Sequence, residues 1–148
     1  MNVAIVGSEE KYWEWHQRDF VIKEIVDILK VLDVDEPPRL ISGGCPKGGV
    51  DIWAEVVAIT LGYPRTIFRP GVNQWEDGYD DGSLYDESGK LLSYDPHMLW
   101  GYKSRNIKIA EFCDILYCFD PKDRDWSGGV WTYNKALELG KEAHHIAV

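Results

Sequence analysis

Residues 41–51 constrain the fold more than any other part of the chain. They carry four glycines between a short apolar run and a segment in which Trp53, Val57 and Leu61 recur at helical spacing. This order predicts a strand, a glycine-rich turn and a helix. Glycines let the backbone approach an anion, and the first turn of a helix presents unpaired N–H groups. The stretch is therefore a candidate phosphate-binding loop.

A second glycine turn, Ser127-Gly128-Gly129, lies near the carboxyl end and opens the last predicted helix. A single glycine cluster most often marks a plain turn. Two such turns, each leading into a helix within a chain of 148 residues, favour contact with a ligand.

Short apolar runs alternate with helical patterns along the whole chain. The predicted strands are residues 3–6, 40–41, 66–68, 115–119 and 143–148. Alternation of strands and helices predicts an α/β fold with a mainly parallel sheet of about five strands. Ligands of such sheets bind beyond the carboxyl ends of the strands, so both glycine turns and the turn Gly7-Ser8 are expected on one rim.

Charge and composition exclude several classes of function. The net charge of -9 argues against broad binding to nucleic-acid backbone, although a small anionic ligand needs only a local positive site. No apolar run approaches the ~20 residues of a membrane span. The three cysteines lack metal-ligand spacing. We expect one cytoplasmic domain over residues 1–148, with no membrane contact, no metal and no required cofactor.

Residues 70–96 interrupt the pattern with four glycines and seven acidic residues against one lysine. Within this excursion, residues 84–92 have the form of a small hairpin with a glycine turn. Asp77, Asp80 and Asp81 do not fall on the alternating positions of an EF-hand loop. The excursion is therefore interpreted as a lid or interaction loop.

The order of these motifs resembles the SLOG superfamily of Rossmann-like domains, which includes the SMF/DprA proteins and the LOG hydrolases, and is most similar to its YspA-like branch. The matching features are Val6-Gly7-Ser8, Ser42-Gly43-Gly44, Gly48-Gly49-Val50-Asp51 with Ala54, Trp75, Arg105-Asn106, Asp114 and Ser127-Gly128-Gly129. The resemblance covers nearly the whole chain except residues 84–96. It implies a three-layer α/β/α fold and a pocket for a nucleotide or nucleotide derivative.

LOG-type hydrolases carry a Pro-Gly-Gly-x-Gly-Thr-x-x-Glu motif, from which this chain departs. Thr132 is kept, but Trp131 replaces a glycine and Lys135 replaces the glutamate. Lysine reverses the charge that would stabilise an oxocarbenium cation or activate water. The resemblance therefore implies binding without the LOG reaction at this position, and no catalytic residue is predicted.

The predicted site combines the glycine turns with nearby polar and aromatic side chains. Arg105 is expected to pair with a phosphate, and Trp75 to stack on a base, whereas core packing is the alternative for the tryptophan. Asp51 either bonds a ribose hydroxyl or only stabilises a helix dipole. The predicted ligand-binding residues are Gly7, Ser8, Ser42, Gly43, Gly44, Lys47, Gly48, Asp51, Trp75, Arg105, Asn106, Ser127, Gly128, Gly129 and Thr132.

Three functional hypotheses follow from these patterns. The first is a sensor or sequestering protein for a nucleotide or nucleotide-derived signal, either ADP-ribose-like or a mononucleotide. The second is a nucleotide-processing hydrolase that uses Glu76 or Asp77 in place of the missing glutamate. The third, a DNA-processing accessory protein, is disfavoured by the net charge of -9. We also expect a homodimer or higher oligomer, because the aromatic residues exceed what one small core hides.

Overall fold

Five strands form one sheet in the computed structural model, which describes residues 1–71, 75, 84–85, 88, 90–93 and 101–148. The strands are β1 (Asn2–Gly7), β2 (Arg39–Ser42), β3 (Arg65–Ile67), β6 (Ile115–Asp120) and β7 (Glu142–Ala147), with a separate pair formed by β4 (Leu84–Tyr85) and β5 (Leu91–Ser93). The sheet order is β3-β2-β1-β6-β7, and all of its pairings are parallel. The predicted parallel α/β sheet is confirmed.

Helices cover both faces of this sheet. They are α1 (Trp15–Leu32), α2 (Val50–Leu61), α3 (Tyr102–Phe112) and α4 (Gly128–Glu138). Alternate residues of a strand point to opposite faces, so Val3 and Ile5 pack with the α1 and α2 side while Ala4 and Val6 pack with the α3 and α4 side. The fold is thus the three-layer Rossmann-like arrangement. No described helix combines the length and the apolar character that crossing a bilayer requires.

Element boundaries differ slightly from those predicted. β3 begins and ends one residue earlier than expected. The antiparallel pairing of β4 with β5 confirms the small hairpin in the excursion. The acidic residues proposed for the hydrolase, Glu76 and Asp77, lie outside the described residues.

The strand order reverses its direction between β1 and β6. From β1 the chain runs outward to β2 and β3 on one side, and from β6 to β7 on the other. β1 and β6 are paired from Val3 opposite Ile115 to Gly7 opposite Phe119. The loops that follow these two strands therefore rise side by side at the topological switch point, where open α/β sheets bind ligands.

Candidate functional site

A cavity of about 360 Å³, here called the main cavity, opens beyond the carboxyl ends of β1 and β6. Its volume lies within the range of about 300–1,000 Å³ that is typical of small-molecule sites. The lining residues are Val6, Gly7, Ser8, Glu9, Cys45, Lys47, Asp51, Trp75, Tyr102, Arg105, Asn106, Ile109, Arg124, Trp126, Ser127, Gly128, Gly129 and Thr132. The sheet thus brings loops that are distant in sequence to one rim.

Two glycines let the loops meet at the floor of the cavity. A Cβ added to Gly129 would lie 2.8 Å from the Cα of Gly7, and one added to Gly7 would overlap the carbonyl oxygen of Phe119. Both obstacles are backbone atoms, which cannot rotate away. The close approach of α4 to the end of β1 therefore requires glycine on both sides.

The N-terminus of α4 forms one wall of the cavity. The Ser127 hydroxyl caps the helix by accepting a hydrogen bond from the N–H of Val130 at 3.0 Å. Gly128 and Gly129, in the first turn, line the cavity, and the Thr132 hydroxyl donates to the carbonyl of Gly128 at 2.8 Å. The positive end of the helix dipole thus lies at the cavity, as an anion site requires.

The cap gives a first prediction. Ser127→Ala is expected to lower the free energy of unfolding by about 1 kcal/mol, because the N–H of Val130 loses its acceptor. Ser127→Gly should cost only a few tenths of a kcal/mol, since glycine is itself tolerated at this position. Urea denaturation of the two variants measures the difference. A loss near zero for Ser127→Ala would show that the hydroxyl is not the stabilising group.

Ser8 is held by the end of the neighbouring strand. Its hydroxyl donates a hydrogen bond to Oδ1 of Asp120, and its carbonyl accepts one from Nε1 of Trp13 at 3.0 Å. Both Ser8 and Asp120 are buried. The position of the hydroxyl at the cavity is therefore set by a carboxylate that the sequence patterns did not identify.

The first glycine-rich stretch, residues 41–51, makes hydrogen bonds largely with other parts of the protein. The Ser42 hydroxyl donates to Oε2 of Glu55 at 2.9 Å and accepts from the N–H of Gly44 at 3.1 Å. Gly44 and Gly48 line a second, smaller hollow of about 280 Å³ rather than the main cavity. Lys47 does line the main cavity.

Arg105 and Asn106 connect the two glycine loops. Nη1 of Arg105 donates to the carbonyl of Gly43, its Nε donates to Oδ1 of Asn106 at 2.7 Å, and Nδ2 of Asn106 donates to the carbonyl of Gly128 at 3.4 Å. Arg105 is buried, and its Nη1 lies 4.0 Å from Oδ2 of Asp51. Two of its guanidinium nitrogens therefore already have partners within the protein, which leaves less of the side chain for the predicted phosphate contact.

Asp51 is a buried carboxyl in the wall of the cavity. Burial raises its pKa to about 6, the Arg105 guanidinium acts in the opposite direction, and the Glu55 carboxylate raises it further. The N–H of Cys45, which donates to Oδ2 of Asp51 at 3.3 Å, also favours the ionised form. This carboxyl therefore titrates much closer to neutral pH than an ordinary aspartate.

Two charged residues that the sequence patterns did not single out also line the cavity. Nη1 of Arg124 and Oε2 of Glu9 are buried and have no hydrogen-bond partner among the described residues. The guanidinium of Arg124 stacks 3.3 Å from the ring centroid of Tyr12, and its Nε donates to the carbonyl of Trp126 at 2.9 Å. A buried donor without a partner is rare in folded proteins, so Nη1 of Arg124 is an unsatisfied group in a residue that lines the cavity.

Three tryptophans form an aromatic wall at the mouth of the cavity. Trp75 packs edge-to-face on Trp126, at 5.8 Å between ring centroids, and on Trp131, at 5.2 Å. Trp75 is 41% exposed and Trp126 is 55% exposed, and both line the cavity. Exposed indole surface at the opening of a polar cavity is suited to a flat aromatic group.

The fold and the site together define a Rossmann-like α/β protein with a cavity at its switch point. No protein-family model and no curated protein matches the sequence. The chain is similar in structure to DNA processing protein A (DprA) from Streptococcus pneumoniae, with 18% identity and a TM-score of 0.63 over 99% of this chain and 50% of that one. It is also similar to the molybdenum cofactor carrier protein from Chlamydomonas reinhardtii, with 16% identity and a TM-score of 0.61 over 97% of this chain and 74% of that one.

These structural similarities concern the fold alone. The chain spans about half the length of the DprA structure that it matches. Both neighbours support the Rossmann-like α/β fold that the sequence resemblance implies. Membership of the SLOG superfamily and of its YspA-like branch stays a prediction.

Proposed function

We propose that this protein binds a nucleotide or nucleotide-derived ligand, either ADP-ribose-like or a mononucleotide, in the main cavity and acts as a sensor or sequestering protein. One observation carries the proposal. Arg124, whose buried Nη1 has no hydrogen-bond partner among the described residues, lines the same cavity as the N-terminus of α4. A phosphate oxygen would satisfy both the buried donor and the helix N–H groups.

The aromatic wall supports the choice of a nucleotide over a bare anion. Trp75 and Trp126 contribute exposed ring surface to the cavity that also holds Arg124. Stacking of a base on an aromatic side chain contributes about 1–3 kcal/mol. A ligand with an aromatic ring at one end and phosphate at the other matches this arrangement.

Binding without turnover is favoured by the position that would carry the LOG glutamate. Lys135 forms an ion pair with Glu138 at 3.7 Å on α4, outside the lining of the main cavity. A lysine there supplies neither the negative charge nor the base that nucleoside cleavage needs. The proposal is therefore a binding protein, with hydrolysis as an outcome that the experiments distinguish.

Calorimetry with mononucleotides, cyclic nucleotides and ADP-ribose tests the proposal. Arg124→Gln is expected to weaken binding by about 10-fold or more, because a hydrogen bond to a charged group contributes about 1.5–3 kcal/mol. Arg65→Gln, which changes an exposed arginine at the start of β3, is the matched control and should change affinity less than about two-fold. No binding at millimolar ligand, or equal losses in the two variants, would contradict the proposal.

Two further measurements separate the alternatives. Chromatography of a ligand after long incubation with the protein would reveal released base or sugar phosphate if the protein is a hydrolase. Retention of single-stranded DNA in a gel shift at low salt would instead favour DNA handling, which the net charge of -9 opposes.

A further inference from the structure

Three metal-ligating side chains meet at the carboxyl end of β6. Cys118 and Asp120 are two residues apart on this strand and so lie on one face, and His145 of β7 is paired in register with Cys118. Sγ of Cys118 lies 3.2 Å and Nε2 of His145 lies 2.8 Å from Oδ2 of Asp120. The three candidate ligand atoms all lie within 4.8 Å of one another.

We propose that Cys118, Asp120 and His145 form a binding site for Zn²⁺ or a similar thiophilic divalent cation. In tetrahedral zinc sites with bonds of about 2.0–2.3 Å, neighbouring ligand atoms are about 3.3–3.7 Å apart. The two distances in the structure are shorter than this by about half an ångström or less. An outward movement of the imidazole lengthens the distance from His145 to Asp120, and a small side-chain adjustment on β6 lengthens the distance from Cys118 to Asp120, which together admit the ion.

The different exposure of the three side chains allows the histidine to move while the other two stay buried. Cys118 and Asp120 are fully or almost fully buried and fixed on β6, whereas the His145 side chain is 33% exposed. The histidine thus offers both the adjustable ligand and a route from solvent. The ring of Tyr133 on α4 packs 5.6 Å from the imidazole, which limits the range of its orientations.

The donor set defines the class of cation. Thiolate, imidazole and one carboxylate oxygen suit zinc and related transition metals, whereas Mg²⁺ and Ca²⁺ require oxygen ligands. The Ser8 hydroxyl donates to Oδ1 of Asp120, which orients the carboxylate while leaving Oδ2 toward the other two ligands. Hydrogen bonds of this kind to a ligating carboxylate tune metal affinity.

The metal site is separate from the main cavity, and Ser8 joins the two through its hydrogen bond to Asp120. Its ligands are held by the register of β6 and β7, and none of the three lines the main cavity. Sequence spacing did not reveal it, because the histidine lies 25 residues beyond the aspartate and only strand pairing joins them.

Titration of the full chain with Zn²⁺ and with Co²⁺ tests the proposal. We expect one Zn²⁺ per chain by calorimetry, and a thiolate-to-metal charge-transfer absorption with Co²⁺. His145→Gln should weaken Zn²⁺ binding by about 100-fold or more, because loss of a supporting residue alone commonly costs about 10–100-fold. Cys118→Ser should abolish the charge-transfer absorption.

Matched controls separate this site from adventitious surface binding. His144→Gln removes the neighbouring histidine, which pairs with Glu142 at 3.1 Å and stacks on Tyr117, and Cys113→Ser changes another buried thiol. Both should bind Zn²⁺ like the wild type. The proposal is overturned if the wild type binds no more tightly than His145→Gln, or if either control loses the ion. If Cys118→Ser fails to fold, the Zn²⁺ affinity of His145→Gln and the Co²⁺ absorption of the wild type test the proposal instead.

Discussion

Replacing Gly49 with alanine is expected to lower the free energy of unfolding by about 3–5 kcal/mol, as backbone strain and steric overlap add. Gly49 has φ of 90° and ψ of -150°, a region that is essentially restricted to glycine. A Cβ there would overlap the carbonyl oxygen of Ser8 and would lie 2.8 Å from the backbone nitrogen of Glu10. Both neighbours are backbone atoms, so relaxation requires the loop that follows β1 (residues 8–10, here the β1 loop) to move.

Gly62→Ala supplies the matched control for this strain. Gly62 follows α2 with φ of 75° and ψ of 25°, and a Cβ at this position would meet no atom within 4 Å. Its replacement should cost only the left-handed conformation, about 1–2 kcal/mol. Urea denaturation of both variants measures the difference. A loss for Gly49→Ala no larger than that for Gly62→Ala would show that the contact with the β1 loop is not rigid.

The role of Gly49 illustrates what a glycine-rich sequence leaves undetermined. Its N–H donates to Oε2 of Glu10 at 3.2 Å, and the N–H of Val50 donates to the carbonyl of Ser8 at 3.3 Å. Glycines of this loop thus serve close packing of two protein segments, which in sequence is indistinguishable from close approach to a phosphate. The glycine pattern predicted an unusual backbone conformation but not which segment packs against it.

The fold could be predicted because its signals are periodic and local. Val21, Ile25 and Leu29 follow helical spacing and are completely buried in α1, and the short apolar runs became the strands of the sheet. The rule that parallel sheets bind ligands beyond their carboxyl ends then placed Gly7 and Gly129 on one rim. Periodicity and a topological rule were sufficient for this step.

Individual contacts within the site could not be predicted in the same way. The Ser42 hydroxyl donates a hydrogen bond to Glu55, 13 residues away. Because this partner is distant in sequence, Ser42 looks from the sequence like a free hydroxyl beside the glycines. Arg124 lies in a polar loop without periodicity. The sequence of such a loop does not distinguish an arginine with an unsatisfied N–H group from one that is solvated. Such roles depend on packing between distant segments, which only the three-dimensional structure contains.

Asp51→Asn is expected to remove a strong pH dependence from the stability of the protein. Burial raises the pKa of Asp51 to about 6 from its ordinary value of 3.8, so the folded state retains a proton that the unfolded state releases between these values. Above pH 6 the carboxyl is ionised in both states, and folding then costs about 3 kcal/mol for burying its charge. This group therefore stabilises the folded state least at neutral and alkaline pH.

Urea denaturation from pH 4 to pH 7 measures this effect as a difference between wild type and variant. The free energy of unfolding of Asp51→Asn, minus that of the wild type, should rise by about 2.5 kcal/mol over this range. Loss of the partner of Arg105 adds an offset, but that offset does not change with pH because the guanidinium stays charged. Asp19→Asn, at an exposed position of α1, controls for the general loss of a negative charge. A difference that stays flat or falls would mean that Arg105 outweighs burial and keeps Asp51 ionised, so that the cavity wall carries a fixed negative charge that any phosphate ligand must offset.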